Sequence, residues 1–158
     1  MMPALTITSE SPDQPDVRAF FAASEAYMGA LYPAESNHFV DAAALAAPHV
    51  GFLVARREGV AVGCGAVVCG ADGAGEIKRM WVDPAQRGGR IGMRLLEALV
   101  GAASARGLRV LRLETGISQP EAIGLYRCAG FTECVPFGSY QPDPLSLFME
   151  LILAEPRA

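Results

Sequence analysis

The chain has 158 residues, 51% hydrophobic and 19% charged, enough apolar material for one domain whose core needs no disulfide staples. A formal net charge of −4 and a pI near 5.2 argue against a nucleic-acid partner, which needs a basic face, and no apolar run approaches the roughly 20 residues that span a bilayer. The opening Met-Met-Pro-Ala-Leu-Thr-Ile-Thr-Ser-Glu has neither the basic segment nor the apolar stretch of a secretory signal. The expectation is a single cytoplasmic domain over residues 1–158, with no membrane and no nucleic-acid partner.

Leu5 to Thr8 alternates apolar and polar like a short strand, and Ser-Pro-Asp-Gln-Pro-Asp then supplies a turn and a cap for a helix over about Val17–Leu31. Residues 37–47, with Phe39, Val40, Ala43, Ala44 and Leu45, predict a second short helix stopped near Pro48. Gly51–Arg56 and Val60–Cys69, joined by Arg57-Glu58-Gly59, read as an antiparallel hairpin, with Gly63 and Gly65 marking a bulge. Glu76–Val82 extends that meander, and Asp83-Pro84 ends it.

Apolar residues at 91, 95, 96, 99, 100 and 103 predict a helix over Ile91–Arg106, with Gly107 as its stop. A strand at Arg109–Thr115, a helix at Glu121–Ala129 and two closing strands at 132–137 and 146–153 complete the chain. The strands on either side of the 91–106 crossover should run parallel. The fold expected is α/β, a three-layer α/β/α sandwich around a central mixed, partly antiparallel sheet.

Cys64, Cys69, Cys128 and Cys134 have no Cys-x-x-Cys spacing and sit in or beside apolar stretches, so reduced, mostly buried thiols are expected. His38 and His49 are far from them in sequence and read as surface or capping residues, so no metal is expected.

The densest chemistry lies in residues 76–92, where a strand runs through Gly88-Gly89 into a helix. Backbone there can approach a ligand closely, and the helix start offers unpaired N–H groups to an anion. Ligands of such sheets settle where parallel strands end. Gly-x-Gly-x-x-Gly is absent and no Gly-Lys-Ser/Thr closes the turn, which argues against a dinucleotide fold and a P-loop. A glycine pair alone is equally at home in a tight connection.

With these residues in view the chain resembles the GCN5-related N-acetyltransferases, the GNAT family. Its signature, Gln/Arg-x-x-Gly-x-Gly/Ala, is similar to Arg87-Gly88-Gly89-Arg90-Ile91-Gly92, with Arg90 where a glycine is usual; Met80-Trp81-Val82 before it looks like the strand that binds pantetheine. Gln119-Pro120-Glu121-Ala122-Ile123-Gly124-Leu125-Tyr126-Arg127-Cys128-Ala129-Gly130-Phe131 is similar to the family's Asn-x-x-Ala-x-x-Leu-Tyr-x-x-x-Gly-Phe.

The resemblance implies acetyl transfer from acetyl-CoA to a primary amine of a small molecule, by direct attack in a ternary complex. The Arg87–Gly92 amides would hold the pyrophosphate, N–H groups near Met80–Val82 would polarise the thioester, and Gln119 stands where an asparagine meets the pantetheine arm. Tyr126 would protonate the departing thiolate, and Glu76, six residues before Val82, stands at the family's general base. Glu114 is a second carboxylate for the acceptor pocket, with Tyr32, Phe39 and Tyr140 as further walls.

Each residue also has a plainer reading. Tyr126 can pack its ring in the core, Glu76 can pair with Lys78 or Arg79, and Glu114 with Arg112. Cys128 reads as a structural thiol on a packed helix. A non-catalytic acyl-CoA sensor and a protein or peptide N-terminal acetyltransferase are the alternative functions, the latter needing an open groove. A homodimer is the expected assembly.

Overall fold

A computed structural model describes residues 4–153. Met1–Pro3, part of the N-terminal segment weighed above, and residues 154–158 lie outside them. The described residues form one seven-stranded sheet with strand order β1-β2-β3-β4-β5-β7-β6. Strands β1 (Leu5–Ser9), β2 (Val50–Arg57), β3 (Val60–Cys69) and β4 (Ala74–Val82) run as an antiparallel meander. The sheet then turns parallel: β4 meets β5 (Val110–Gly116) through Ala74–Val110, Gly75–Leu111 and Glu76–Arg112. The last strand, β7 (Ser146–Ile152), inserts antiparallel between β5 and the two-residue β6 (Thr132–Glu133).

Helices cover both faces, as expected for three layers. On one face α1 (Pro15–Leu31) and the short α2 (Ala42–Leu45) bury Val17, Phe21 and Leu45 against Phe52, Val54 and Trp81. On the other, α3 (Ile91–Ala105) and α4 (Pro120–Cys128) bury Leu95, Leu96, Leu99 and Tyr126 against Val67, Leu111 and Leu113. The stripe on α3 follows from sequence: Ile91, Leu95, Leu99 and Ala103 recur every fourth residue, all at most 1% exposed. No helix among the described residues is long and apolar enough to cross a membrane.

Three expectations need correction. The helix over 37–47 shrinks to Ala42–Leu45, because the Asp41 side chain accepts from Ala44 N at 2.8 Å and starts the helix there. Ahead of it a 3₁₀ turn at Ala34–Ser36 leads into extended backbone, where the Val40 carbonyl is taken by Arg79 Nε at 2.9 Å. The strand over 132–137 stops at Glu133, with one more bond from Cys134 N to the Phe148 carbonyl; Pro136 has no N–H to extend the ladder.

Of the thiols only Cys64 is buried; Cys128 lies exposed on α4 instead of packed. The bulge expected at Gly63 and Gly65 is present: against β2 the extra residue is Val62, beside Gly63, and against β4, which itself carries the extra residue, the slip falls at Gly65. The glycine itself is needed because a Cβ there would lie 2.8 Å from Leu99 Cδ1 of α3.

Candidate active site

Beyond Glu76 the β4–β5 pairing ends, while β5 stays bonded to β7 as far as Gly116. The cause lies on the β3 side. Between the pairs Cys64–Trp81 and Ala66–Lys78, the single residue Gly65 faces both Arg79 and Met80, and Arg79 takes φ +56°. Such a bulge bends its strand, and here β4 swings away from β5. The resulting cleft holds about 690 Å³ and is lined by Met80, Trp81 and Val82, by Arg87, Gly88, Arg90, Ile91 and Gly92, and by Gln119, Leu125 and Tyr126 from the α4 side.

The turn into α3 needs unusual backbone. Gly88 has φ +100°, and Arg90 sits in the left-handed region at φ +60°, ψ 20°, which is why a glycine is the easy residue there. The Arg90 side chain makes no capping bond, so the first N–H groups of α3 have no side-chain partner beside the cleft. Gly89, alone among the turn residues singled out, lies away from the cleft. A Cβ on it would come within 2.9 Å of Arg57 Nη2, a guanidinium from the end of β2 whose buried Nε has no partner. Nothing in the sequence pattern pointed to Arg57, since it reads as a turn residue. The guanidinium of Arg87 lies 5.5 Å from the Trp81 ring, which also meets Tyr27 at 5.8 Å.

A second, inner cavity of about 160 Å³ adjoins the cleft; Met80, Gln119, Ala122 and Tyr126 line both. Tyr126 is 9% exposed, its ring edge-on to Phe131 at 6.0 Å. Burial first, and the Glu114 charge second, push its phenol up to about 12. Glu114 lines the inner cavity and accepts from Ser146 Oγ at 2.8 Å. Burial raises its pKa above the ordinary carboxylate value, against the opposing pull of that hydrogen bond and of His38 and Lys78. It makes no ion pair with Arg112, which turns to Glu150 at 3.7 Å.

Tyr32, at the end of α1, is a buried strut of this cavity. Its Oη donates to Gln119 Oε1 at 3.2 Å and accepts from Ser118 N at 3.1 Å. Gln119 Oε1 also accepts from Gly116 N at 3.2 Å. A side chain at Gly116 cannot coexist with this arrangement: its Cβ would fall 1.8 Å from the Tyr32 oxygen.

Glu76 and Tyr140 are brought together, but elsewhere. They line an outer groove of about 890 Å³, with Lys78 between the groove and the inner cavity. Tyr140 Oη donates to Glu76 Oε2 at 2.5 Å, and Lys78 Nζ reaches the same carboxylate oxygen at 3.1 Å. Phe39, with His38 and Val40, lines both spaces. Arg79 pairs with Glu25 at 3.2 Å, not with Glu76.

The profile of the acetyltransferase (GNAT) family matches residues 17–131, more than two thirds of the chain. The chain belongs to the GNAT family. An "IAA acetyltransferase" from Azospirillum brasilense is 54% identical over 150 residues, covering 94% of this chain and 98% of its own. The E. coli K12 protein named "Uncharacterized N-acetyltransferase YedL" is 32% identical, covering 95% and 96%. A solved Klebsiella pneumoniae protein, provisionally named an acyl-CoA N-acyltransferase, superposes with a TM-score of 0.83 at 41% identity, covering 95% of this chain and 98% of its own.

Membership makes the protein an acyltransferase and implies an acyl-CoA donor. The GNAT cleft suits that donor on its own geometry: an elongated space between splayed strands ends at a glycine turn, where uncapped helix amides and two arginines meet.

Proposed function

We propose that the protein moves the acetyl group of acetyl-CoA to a primary amine of a small molecule by direct attack within a ternary complex. The position of Tyr126 carries this reading. Its ring borders both the cleft suited to the thioester and the cavity suited to a nucleophile, so the two reactants would meet beside its hydroxyl. Holding them together supplies much of the acceleration.

Glu114 is the base this geometry favours. An amine at neutral pH is protonated and must lose a proton before or during attack, and among the described residues Glu114 is the one carboxylate lining the inner cavity. Its raised pKa makes it a stronger proton acceptor than an ordinary glutamate. Glu76, the base that the family pattern implies, opens to the outer groove with its carboxylate already engaged by Tyr140 and Lys78.

Tyr126 then acts on the leaving sulfur. With its phenol near 12 it keeps its proton at neutral pH, and complete transfer to a thiolate of ordinary basicity, about 8.5, is uphill. Its contribution is a hydrogen bond that strengthens as charge builds on sulfur. N–H groups of the Met80–Val82 stretch beside the bulge would meet the thioester oxygen. The Arg87–Gly92 turn, with Arg57 behind it, would hold the phosphates.

The name of the Azospirillum relative makes IAA the first compound to assay, as the rival acceptor to a panel of primary amines. Thiol release from acetyl-CoA, with the acetylated product identified by mass spectrometry, is the expected result. Tight CoA binding with no turnover of any acceptor would replace this reading with the non-catalytic sensor.

A further inference from the structure

The acceptor space has two chambers of unequal size, and a hydrogen-bonded ion pair and a group of edge-on rings hold the residues between them. The inner chamber, where Glu114 and Tyr126 lie, holds about 160 Å³, close to the roughly 150 Å³ that accommodates one benzene. The outer groove, about 890 Å³, falls in the range that receives a whole drug-sized ligand. Lys78, His38, Phe39 and Val40 line both. An acceptor larger than a single ring therefore cannot place its whole body beside Tyr126.

The boundary is clasped. Tyr140 Oη donates to Glu76 and accepts from Lys78 Nζ, which also pairs with Glu76 at 3.1 Å and lies 4.9 Å from the Tyr140 ring. The ring is wedged edge-on among His38, Phe137 and Phe148, at 5.1, 5.2 and 5.4 Å. A second pin, Ser36 Oγ to Asp143 Oδ2 at 2.7 Å, ties the segment after α1 to the loop that carries Tyr140.

Resting on the acetyl-transfer reading above, we propose that the acceptor is a primary amine at the end of a slender, unbranched arm. Its body rests in the outer groove, and the arm threads a neck lined by Lys78, His38, Phe39 and Val40, whose shape the Tyr140–Glu76 clasp on Lys78 holds. Amino acids that carry a side chain, and the peptide N-termini they form, are branched at the carbon next to nitrogen and are rejected at that neck. Glu76 is a positioning residue here, holding the Tyr140 hydroxyl in place.

Naphthylalkylamines with arms of one to four carbons, whose two fused rings exceed the inner chamber, read the neck directly, with thiol release measured at saturating acetyl-CoA. For the wild type, kcat/KM should step up at least tenfold once the arm lets the rings stay outside, and not climb by the steady fourfold or so per methylene that burial alone gives. Tyr140→Ala should flatten the step to within about threefold while leaving KM for acetyl-CoA unchanged. Tyr140→Phe and Glu76→Gln keep the local packing and should flatten it part-way, so the test survives if the alanine variant fails to fold.

A wild type without the step, or a step that all three variants retain, overturns the proposal. So does a Glu76→Gln variant that lowers kcat equally for every arm length, which would return Glu76 to the role of base. Saturation-transfer NMR on the CoA-bound protein separates this from the function itself. Binding of 4-(1-naphthyl)butylamine but not 1-naphthylmethylamine supports the neck even without turnover, and equal binding of the two overturns it.

Discussion

The two sides of the proposed active site are built in opposite ways. On the donor side, backbone and short-range sequence do the work: a strand, a turn with Gly88 and Arg90 in positive φ, and a helix start, all within residues 76–92. On the acceptor side, side chains from distant segments meet. Tyr32 reaches Gln119 across 87 residues, Tyr140 reaches Glu76 across 64, and Ser36 reaches Asp143 across 107. A site made of backbone tolerates change in its neighbours and serves many chemistries; one made of long-range side-chain contacts is specific to its ligand and fragile. By this division the donor side suits a whole family of acceptors, and the acceptor side suits one.

The largest expected effect falls where the two sides meet. Glu114→Gln should lower kcat/KM about 10³-fold, as loss of a general base does, with acetyl-CoA affinity unchanged by calorimetry. In the wild type, kcat/KM should fall toward acid as Glu114 takes up a proton, with its midpoint above the usual glutamate range because burial raises this pKa; the variant should lose that limb. The stability sign is opposite. A carboxyl whose folded pKa is raised binds its proton more tightly when folded, so stability declines as pH climbs from the unfolded to the folded value. Glu114→Gln should thus melt higher than the wild type at neutral pH, and a lower Tm would remove burial as the cause of the shift.

Next comes Tyr126→Phe, expected to cost about 10² in kcat, with little change in either KM. The ring stays packed on Phe131, so only the hydroxyl is lost. An unchanged kcat would leave Tyr126 a packing residue and dissolve the junction on which the comparison rests.

How much of this was legible in sequence follows from the same division. The meander, the parallel crossover and the glycine turn into α3 were readable because each rests on local periodicity or on glycine placement. Glu114 appeared only as one of two carboxylates, since strand alternation does not say where β4 and β5 part. The splay comes from a one-residue bulge at Arg79 that leaves no mark in composition. The segment 37–41 was misread as helix because its alanine-rich neighbour suits one, whereas Asp41 capping and the Arg79 bond to the Val40 carbonyl impose extended backbone. Arg57 was invisible because its importance lies in meeting Gly89, more than thirty residues away in the chain.

A smaller effect should separate strut from chemistry on the acceptor side. Gly116→Ala puts a Cβ where the Tyr32 oxygen sits, so Tyr32 must give up its bonds to Gln119 and Ser118. The expected loss is about 2–3 kcal/mol in urea unfolding, the range for overpacking a tight interior, together with a raised KM for the acceptor. A raised KM for acetyl-CoA instead would make Gln119 chiefly a donor-side residue.

The smallest effect tests the donor side at its one departure from the family pattern. Arg90→Gly relieves a non-glycine residue of the left-handed region, worth about 1 kcal/mol, but gives the unfolded chain extra freedom worth about 0.4–1 kcal/mol in the other direction. The two nearly cancel, so Tm should move by no more than a degree or two. Affinity for acetyl-CoA then isolates the side chain. If the turn binds through backbone alone, as its uncapped amides and the Gly88 conformation argue, the affinity of the glycine variant should match wild type at every ionic strength. A loss of fivefold or more that fades as salt is added would show Arg90 reaching the phosphates as a charge. In that case even the donor side would carry a side-chain contact peculiar to this chain.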